Sequence, residues 1–140
     1  RQVHAGWRGT VNRILTKTLH RMQSAYGTEG TDVIACIGPG ISLDSFEVGD
    51  EVYEAFRTEN FPMEYISVWK PETHKYHIDL WAANRLQLSD FGVPPRQIEN
   101  AGICTYRQHE DFFSARRLGI KSGRILSGIM LNGQEKGERK

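Results

Sequence analysis

The chain has 140 residues, of which 39% are hydrophobic and 25% charged, and its formal net charge is +1. That length allows one domain with a buried core, and the composition is ordinary for a globular protein. So even a charge balance gives no case for a nucleic-acid or membrane surface, and no apolar run reaches the roughly 18 residues of a membrane helix.

The first residues also lack the apolar stretch of a secretory signal. Cys36 and Cys104, the two cysteines, both lie in apolar, strand-like contexts. They are expected to be buried, reduced thiols of a cytoplasmic protein. The chain opens on Arg1 rather than Met and meets its most unusual motif at position 4, so further sequence is expected before it.

Spacing of Val11, Ile14, Leu15, Leu19 and Met22 predicts a helix from Thr10 to Tyr26, stopped by Gly27. The run 32–37 is short and apolar and precedes Gly38-Pro39-Gly40, so it reads as a buried strand ending in a turn. Asp50 is placed to cap a short helix carrying Val52, Tyr53 and Phe56. Residues 65–69 and 76–78 read as strands joined by the turn-forming Lys70-Pro71-Glu72-Thr73. Asp79 predicts the N-cap of a helix holding Leu80, Ala83, Leu86 and Leu88, with Gly92 at its end. Residues 98–106 and 125–131 read as two more strands, and residues 134–140 as a charged, frayed tail. Residues 1–133 are thus expected to form one catalytic domain's C-terminal portion of mixed α and β structure, with strand order left open.

Three segments could carry chemistry. In His4-Ala5-Gly6-Trp7-Arg8-Gly9, an imidazole can bind a metal or act as a base. Two glycines there admit a close ligand, and Arg8 offers a cationic fork for phosphate or carboxylate. A packed Trp7 with a surface Arg8 is an equal alternative on composition alone. The second segment, Cys104-Thr105-Tyr106 with Phe112-Phe113-Ser114-Ala115-Arg116-Arg117, places the hydroxyls of Thr105 and Ser114 near two arginines. On the residues alone, an amphipathic turn with core aromatics and solvated arginines is the favoured account. The third, Gly38-Pro39-Gly40-Ile41-Ser42 followed by Phe46-Glu47-Val48-Gly49, could line a substrate, although it lacks the lysine and spacing of a P-loop. His74 and His77 stand three apart in a strand-like stretch. Their side chains there would face opposite ways, which favours surface histidines over a metal pair.

These segments, in this order, resemble the YfiH-like family, formerly called laccase-domain or multicopper polyphenol oxidoreductase proteins and described as zinc-dependent purine nucleoside phosphorylases. The resemblance runs from His4 to Leu131 and includes Ile78-Asp79-Leu80 with Asn84, and Gly123-Arg124. It implies an α+β fold in a layered α/β/β/α arrangement with mixed sheets and a pocket at the sheet ends. It further implies phosphorolysis of adenosine, inosine or guanosine to the base and ribose 1-phosphate. Adenosine deamination and methylthioadenosine cleavage are related activities.

By the same resemblance His4 is one of three zinc ligands, the other histidine and a cysteine lying upstream. Neither Cys36 nor Cys104 matches that cysteine. Arg1 and Gln2 stand where the family is usually apolar, a departure that suggests a fragment. For phosphate, Arg8 is the first candidate and Arg116 or Arg117 the second, with Ser114 or Thr105 as hydroxyl partners. The alternatives are a copper-dependent polyphenol oxidase, a Cys-His hydrolase, and a folded remnant with an incomplete site. Five histidines without a His-X-His pair weigh against multicopper chemistry.

Overall fold

The computed structural model describes residues 1–133; the expected charged tail lies outside the described residues. Its elements are α1 (Trp7–Val11), α2 (Ile14–Tyr26), β1 (Ala35–Ile37), β2 (Glu47–Val48), α3 (Asp50–Thr58), α4 (Met63–Ile66), β3 (Ser67–Lys70), β4 (Lys75–Ile78), α5 (Leu80–Phe91), β5 (Ile98–Asn100) and α6 (Ala115–Leu118). Strands β1 and β5 pair in parallel, and β2-β4-β3 form an antiparallel sheet. The α+β class expected from sequence is what forms.

Two apolar clusters organise the chain. One gathers Phe46, Val48, Val52, Phe56, Ile66 and Ile78 between the three-stranded sheet and α3, α4 and α5. The other joins Leu19 of α2, Leu88 of α5, Val93 and Ile98 against β1 and β5. Leu80 and Ala83 belong to the first cluster and Leu88 to the second, so α5 spans both. Its N-cap is Asp79, whose carboxylate accepts from the Ala82 N–H at 2.9 Å, and it ends on Gly92 at φ 100°. Both ends are where the sequence puts them.

The first helix is broken where its periodicity is continuous. Arg13 adopts φ 56°, ψ 42° between α1 and α2, a left-handed conformation that costs a non-glycine residue about 1–2 kcal/mol. Gln87 of α5 holds the break open. Its Oε1 accepts from Thr16 N–H at 3.1 Å and Thr16 O–H at 3.0 Å, and its Nε2 donates to the Thr10 carbonyl at 3.3 Å. Asn84 Nδ2, one turn earlier, donates to Thr10 Oγ1 at 3.1 Å. Buried side-chain amides thus replace backbone helix bonds.

Other expectations need correction. Asp50 is the first helical residue of α3, and Gly49 is its N-cap. Residues 63–66 form a helical turn before β3 because Ile66 is drawn fully into the core. Strand β5 stops at Asn100, where Gly102 at φ 67° turns the chain. Residues 125–131 form no strand. Among the described residues they pair with no sheet edge, and Leu126, Met130 and Leu131 are 94%, 85% and 92% exposed; a strand needs a partner ladder, whatever its own apolarity. Cys36 is exposed on β1, while Cys104 is buried. His77 is not a surface residue: it is 8% exposed on β4, whereas His74 lies in the preceding turn at φ 53°.

Candidate active site

The segment Arg1–Gly6 has no regular secondary structure and leads through an extended Gly6 into α1. His4 is exposed, and a Cβ at Gly6 would lie 3.4 Å from its Nε2, so glycine lets the ring fold over the backbone. Thr10 Oγ1 donates to the Ala5 carbonyl at 3.2 Å. The buried Asn84-Thr10 pair of the fold therefore reaches the backbone beside His4. Arg8 is exposed, with its guanidinium 4.6 Å from the Trp7 ring centre, and Trp7 packs on the larger apolar cluster. Stacking of this kind orients an arginine and leaves its donors open.

The Gly-Pro-Gly loop and the segment after β5 are brought together by a parallel extension of the β1-β5 pair. Gly40 N–H donates to the Ile103 carbonyl at 3.1 Å, and Thr105 N–H to the Gly40 carbonyl at 3.0 Å. A Cβ on Gly40 would stand 3.2 Å from Trp81 Nε1, so the loop lies tightly against α5. Thr105 is buried there at 7% exposure. Beside it Cys104 Sγ meets Ser42 N–H at 3.4 Å, Ser42 Oγ at 3.1 Å and Ser45 Oγ at 3.5 Å. Burial pushes this thiol up. The Ser42 and Ser45 hydroxyls, with backbone N–H groups of Ser42 and Arg107, outweigh that and bring it down to about 7.

These loops open onto a concavity of about 460 Å³ lined by Asp44, Ser45, Glu47, His77, Tyr106, Arg107, Arg116 and Arg117. Arg116 Nη1 donates to the Glu47 carbonyl at 2.8 Å with its guanidinium 5.2 Å from the Phe46 ring. The Arg117 guanidinium lies 5.0 Å from the Tyr106 ring. Arg107 pairs with Asp44 at 3.1 Å. Ser114, 4% exposed, accepts from Arg117 N–H at 3.4 Å and caps α6, which carries both adjacent arginines.

Of the expected site residues, Arg116 and Arg117 line this concavity, with Ser114 and Thr105 in the segments that shape it. His4 and Arg8 are not among its lining residues. Glu47 belongs to the Phe46-Glu47-Val48-Gly49 segment expected to line a substrate, whereas His77, Arg107 and Asp44 were missed by sequence reasoning. His77 is separated from the arginines by some 30 or more positions, and no spacing rule joins a strand residue to two later loops. The one available signal was its place beside the Ile78-Asp79-Leu80 motif.

Among the described residues, no three His, Cys, Asp or Glu side chains come together as a metal-binding set. These residues therefore do not complete a three-ligand zinc site by themselves, although His4 is free to supply one imidazole.

Residues 2–132 match the family described as multi-copper polyphenol oxidoreductase laccase. A purine nucleoside phosphorylase of Bacteroides thetaiotaomicron is 65% identical over 130 residues, covering 93% of this chain and 48% of that protein. An adenosine deaminase from an unknown prokaryotic organism is 49% identical over 126 residues, covering 90% and 48%. The crystal structure of YlmD from Geobacillus stearothermophilus superposes with a TM-score of 0.72 at 34% identity, covering 82% of this chain and 43% of that one. The chain spans about half the length of the curated relatives it matches. On sequence and fold together, this chain belongs to the YfiH/YlmD-like laccase-domain family of purine nucleoside phosphorylases.

Proposed function

We propose that this chain supplies the phosphate-binding part of a purine nucleoside phosphorylase. The reaction converts adenosine, inosine or guanosine with phosphate into the base and ribose 1-phosphate. Adenosine deamination and methylthioadenosine cleavage accompany it. The observation that carries the reading is the convergence of Arg107, Arg116 and Arg117 on one concavity inside the matched segments.

Phosphorolysis asks for a cationic cradle and for stabilisation of the sugar cation as the glycosidic bond breaks. Arg116 and Arg117 are held on α6 by the Ser114 cap and steadied against Phe46 and Tyr106, so their forks are oriented before the anion arrives. Glu47 and Asp44 place negative charge on the same wall, suited to a developing cation. Thr105 acts by holding its segment on Gly40. Arg8 is a second cationic group for phosphate or nucleoside, outside this concavity. Zinc belongs to the proposal with His4 as one ligand and the others from outside the described residues. When bound it would polarise a water or substrate oxygen.

Inosine with phosphate should yield hypoxanthine by chromatography only when phosphate is present. Arg117→Ala should raise the phosphate KM by about tenfold or more. Elemental analysis should find zinc, and His4→Ala should reduce it. Stoichiometric copper with oxidation of a phenol would instead favour the polyphenol oxidase reading that the family description carries. Phosphate-independent or absent turnover in zinc-loaded protein would refute the phosphorylase.

A further inference from the structure

The arginine concavity contains more hydrogen-bond acceptors than a plain anion site needs. His77 is 8% exposed on β4, with Nδ1 2.9 Å from the Leu43 carbonyl. A carbonyl can only accept, so Nδ1 carries the hydrogen, and in its neutral form the ring offers a bare lone pair at Nε2. Among the described residues that nitrogen meets no hydrogen-bond donor, and it stands 3.7 Å from Glu47 Oε2. The other Glu47 oxygen is in an ion pair with Lys75 Nζ at 3.6 Å, longer than a hydrogen bond and so leaving its acceptor sites open. Two unspent acceptors therefore sit side by side in the wall that carries Arg116 and Arg117, near the hydroxyls of Tyr106 and Ser45 and the Arg107-Asp44 pair.

An oxyanion with no hydrogen would gain from the arginines and be repelled by Glu47 Oε2 and His77 Nε2. An oxyanion that keeps one hydrogen satisfies both sides, because its P–O–H donates to the acceptor pair while its bare oxygens accept from the guanidinium forks. We propose that the concavity of Glu47, His77, Arg116 and Arg117 is selective for hydrogenphosphate, recognising its remaining proton through His77 Nε2 and Glu47 Oε2 and rejecting fully deprotonated oxyanions. His77 thereby contacts the ligand, and the Leu43 carbonyl fixes which ring nitrogen it offers. This rests on the reading of the concavity as the phosphate site and adds to it the state of the anion that is bound.

Sulfate has the same shape and no proton. A sugar phosphate loses its last phosphate proton above a second pKa of about 6, whereas inorganic phosphate keeps one in mildly alkaline solution. The 140-residue chain should be titrated calorimetrically with inorganic phosphate, sulfate and ribose 5-phosphate at about pH 8, well above that second pKa. Phosphate should bind at least about tenfold more tightly than the other two, as expected where a site's acceptors are left unpaired by the wrong ligand. His77→Gln and Glu47→Gln each put an amide donor beside the anion. Each should gain sulfate binding, bringing it within about threefold of phosphate, an effect that loss of structure cannot produce.

Equal binding of phosphate and sulfate by the unchanged chain would overturn the proposal. So would ribose 5-phosphate binding as tightly as phosphate, no phosphate binding at all, or an undiminished preference in both variants. The unchanged chain's ratio decides the matter if a variant fails to fold. Phosphate selectivity with no nucleoside cleavage by zinc-loaded protein would refute the phosphorylase and leave this proposal standing. Cleavage without selectivity would do the reverse.

Discussion

Replacing Gln87 by leucine tests whether one buried amide holds the break between α1 and α2. Gln87 is 1% exposed, and its side chain serves Thr16 N–H, Thr16 O–H and the Thr10 carbonyl. Leucine keeps much of the volume and removes all three bonds. The Thr10 carbonyl retains the Arg13 N–H at 3.0 Å, so the main cost falls on the two Thr16 donors. A buried donor left without a partner costs about 1–3 kcal/mol, and both contacts are only partly buried, so the lower half of that range applies. Together they cost about 2–4 kcal/mol, offset by less than about 1 kcal/mol from the added apolar surface.

The net loss is about 2 kcal/mol. With a urea slope of about 1–3 kcal/mol/M, the midpoint should fall by about 1 M. Urea unfolding followed by circular dichroism measures this, and hydrogen exchange should show the Thr16 amide opening faster. A midpoint shift under about 0.3 M at unchanged slope would mean that α1 and α2 break for some other reason, and that the Arg13 conformation does not depend on α5.

Two further outcomes follow from the geometry. A Cβ on Gly30 would stand 2.8 Å or less from three backbone atoms of Gly92, whereas one on Gly27, at φ 66°, meets nothing within 4 Å. Gly30→Ala should therefore cost about 1–3 kcal/mol by overpacking and Gly27→Ala about 1 kcal/mol by backbone strain, an order that thermal unfolding of the two variants checks. In a Cys36→Ser background, the Cys104 thiolate absorbance should titrate near pH 7, below its ordinary 9.0. Because the folded state lowers this pKa, its contribution to stability is complete above about pH 9, shrinks as pH falls, and is gone below about pH 7. A midpoint at the ordinary value would show that Ser42 and Ser45 do not hold the thiolate.

Much of the fold was legible because its signals are local. Asp79 and Gly92 bound α5 through a capping carboxylate and a left-handed glycine, both effects confined to one helical turn. The matched segments were equally visible as ordered strings, and they led to the family. What misled was periodicity where a distant side chain intervenes. Val11, Ile14 and Leu15 keep helical spacing across Arg13, and nothing nearby announces that Gln87, 71 positions beyond Thr16, supplies the competing acceptor. Likewise 125–131 has the composition of a strand, but pairing is a property of two segments, and no described residue offers it an edge.

The candidate site divides along the same line. Local order in the sequence determined the arginine pair and its serine cap, because an N-cap and its helix are neighbours by construction. Only the tertiary structure decided that the loop after β5 crosses the Gly-Pro-Gly loop, that His77 turns inward on β4, and that Glu47 stands beside it with acceptors unspent. Those placements depend on strand pairing and burial between segments some 30 to 70 residues apart. Contacts at that separation are selected by the packing free energy of the whole chain, and no short stretch of it contains them.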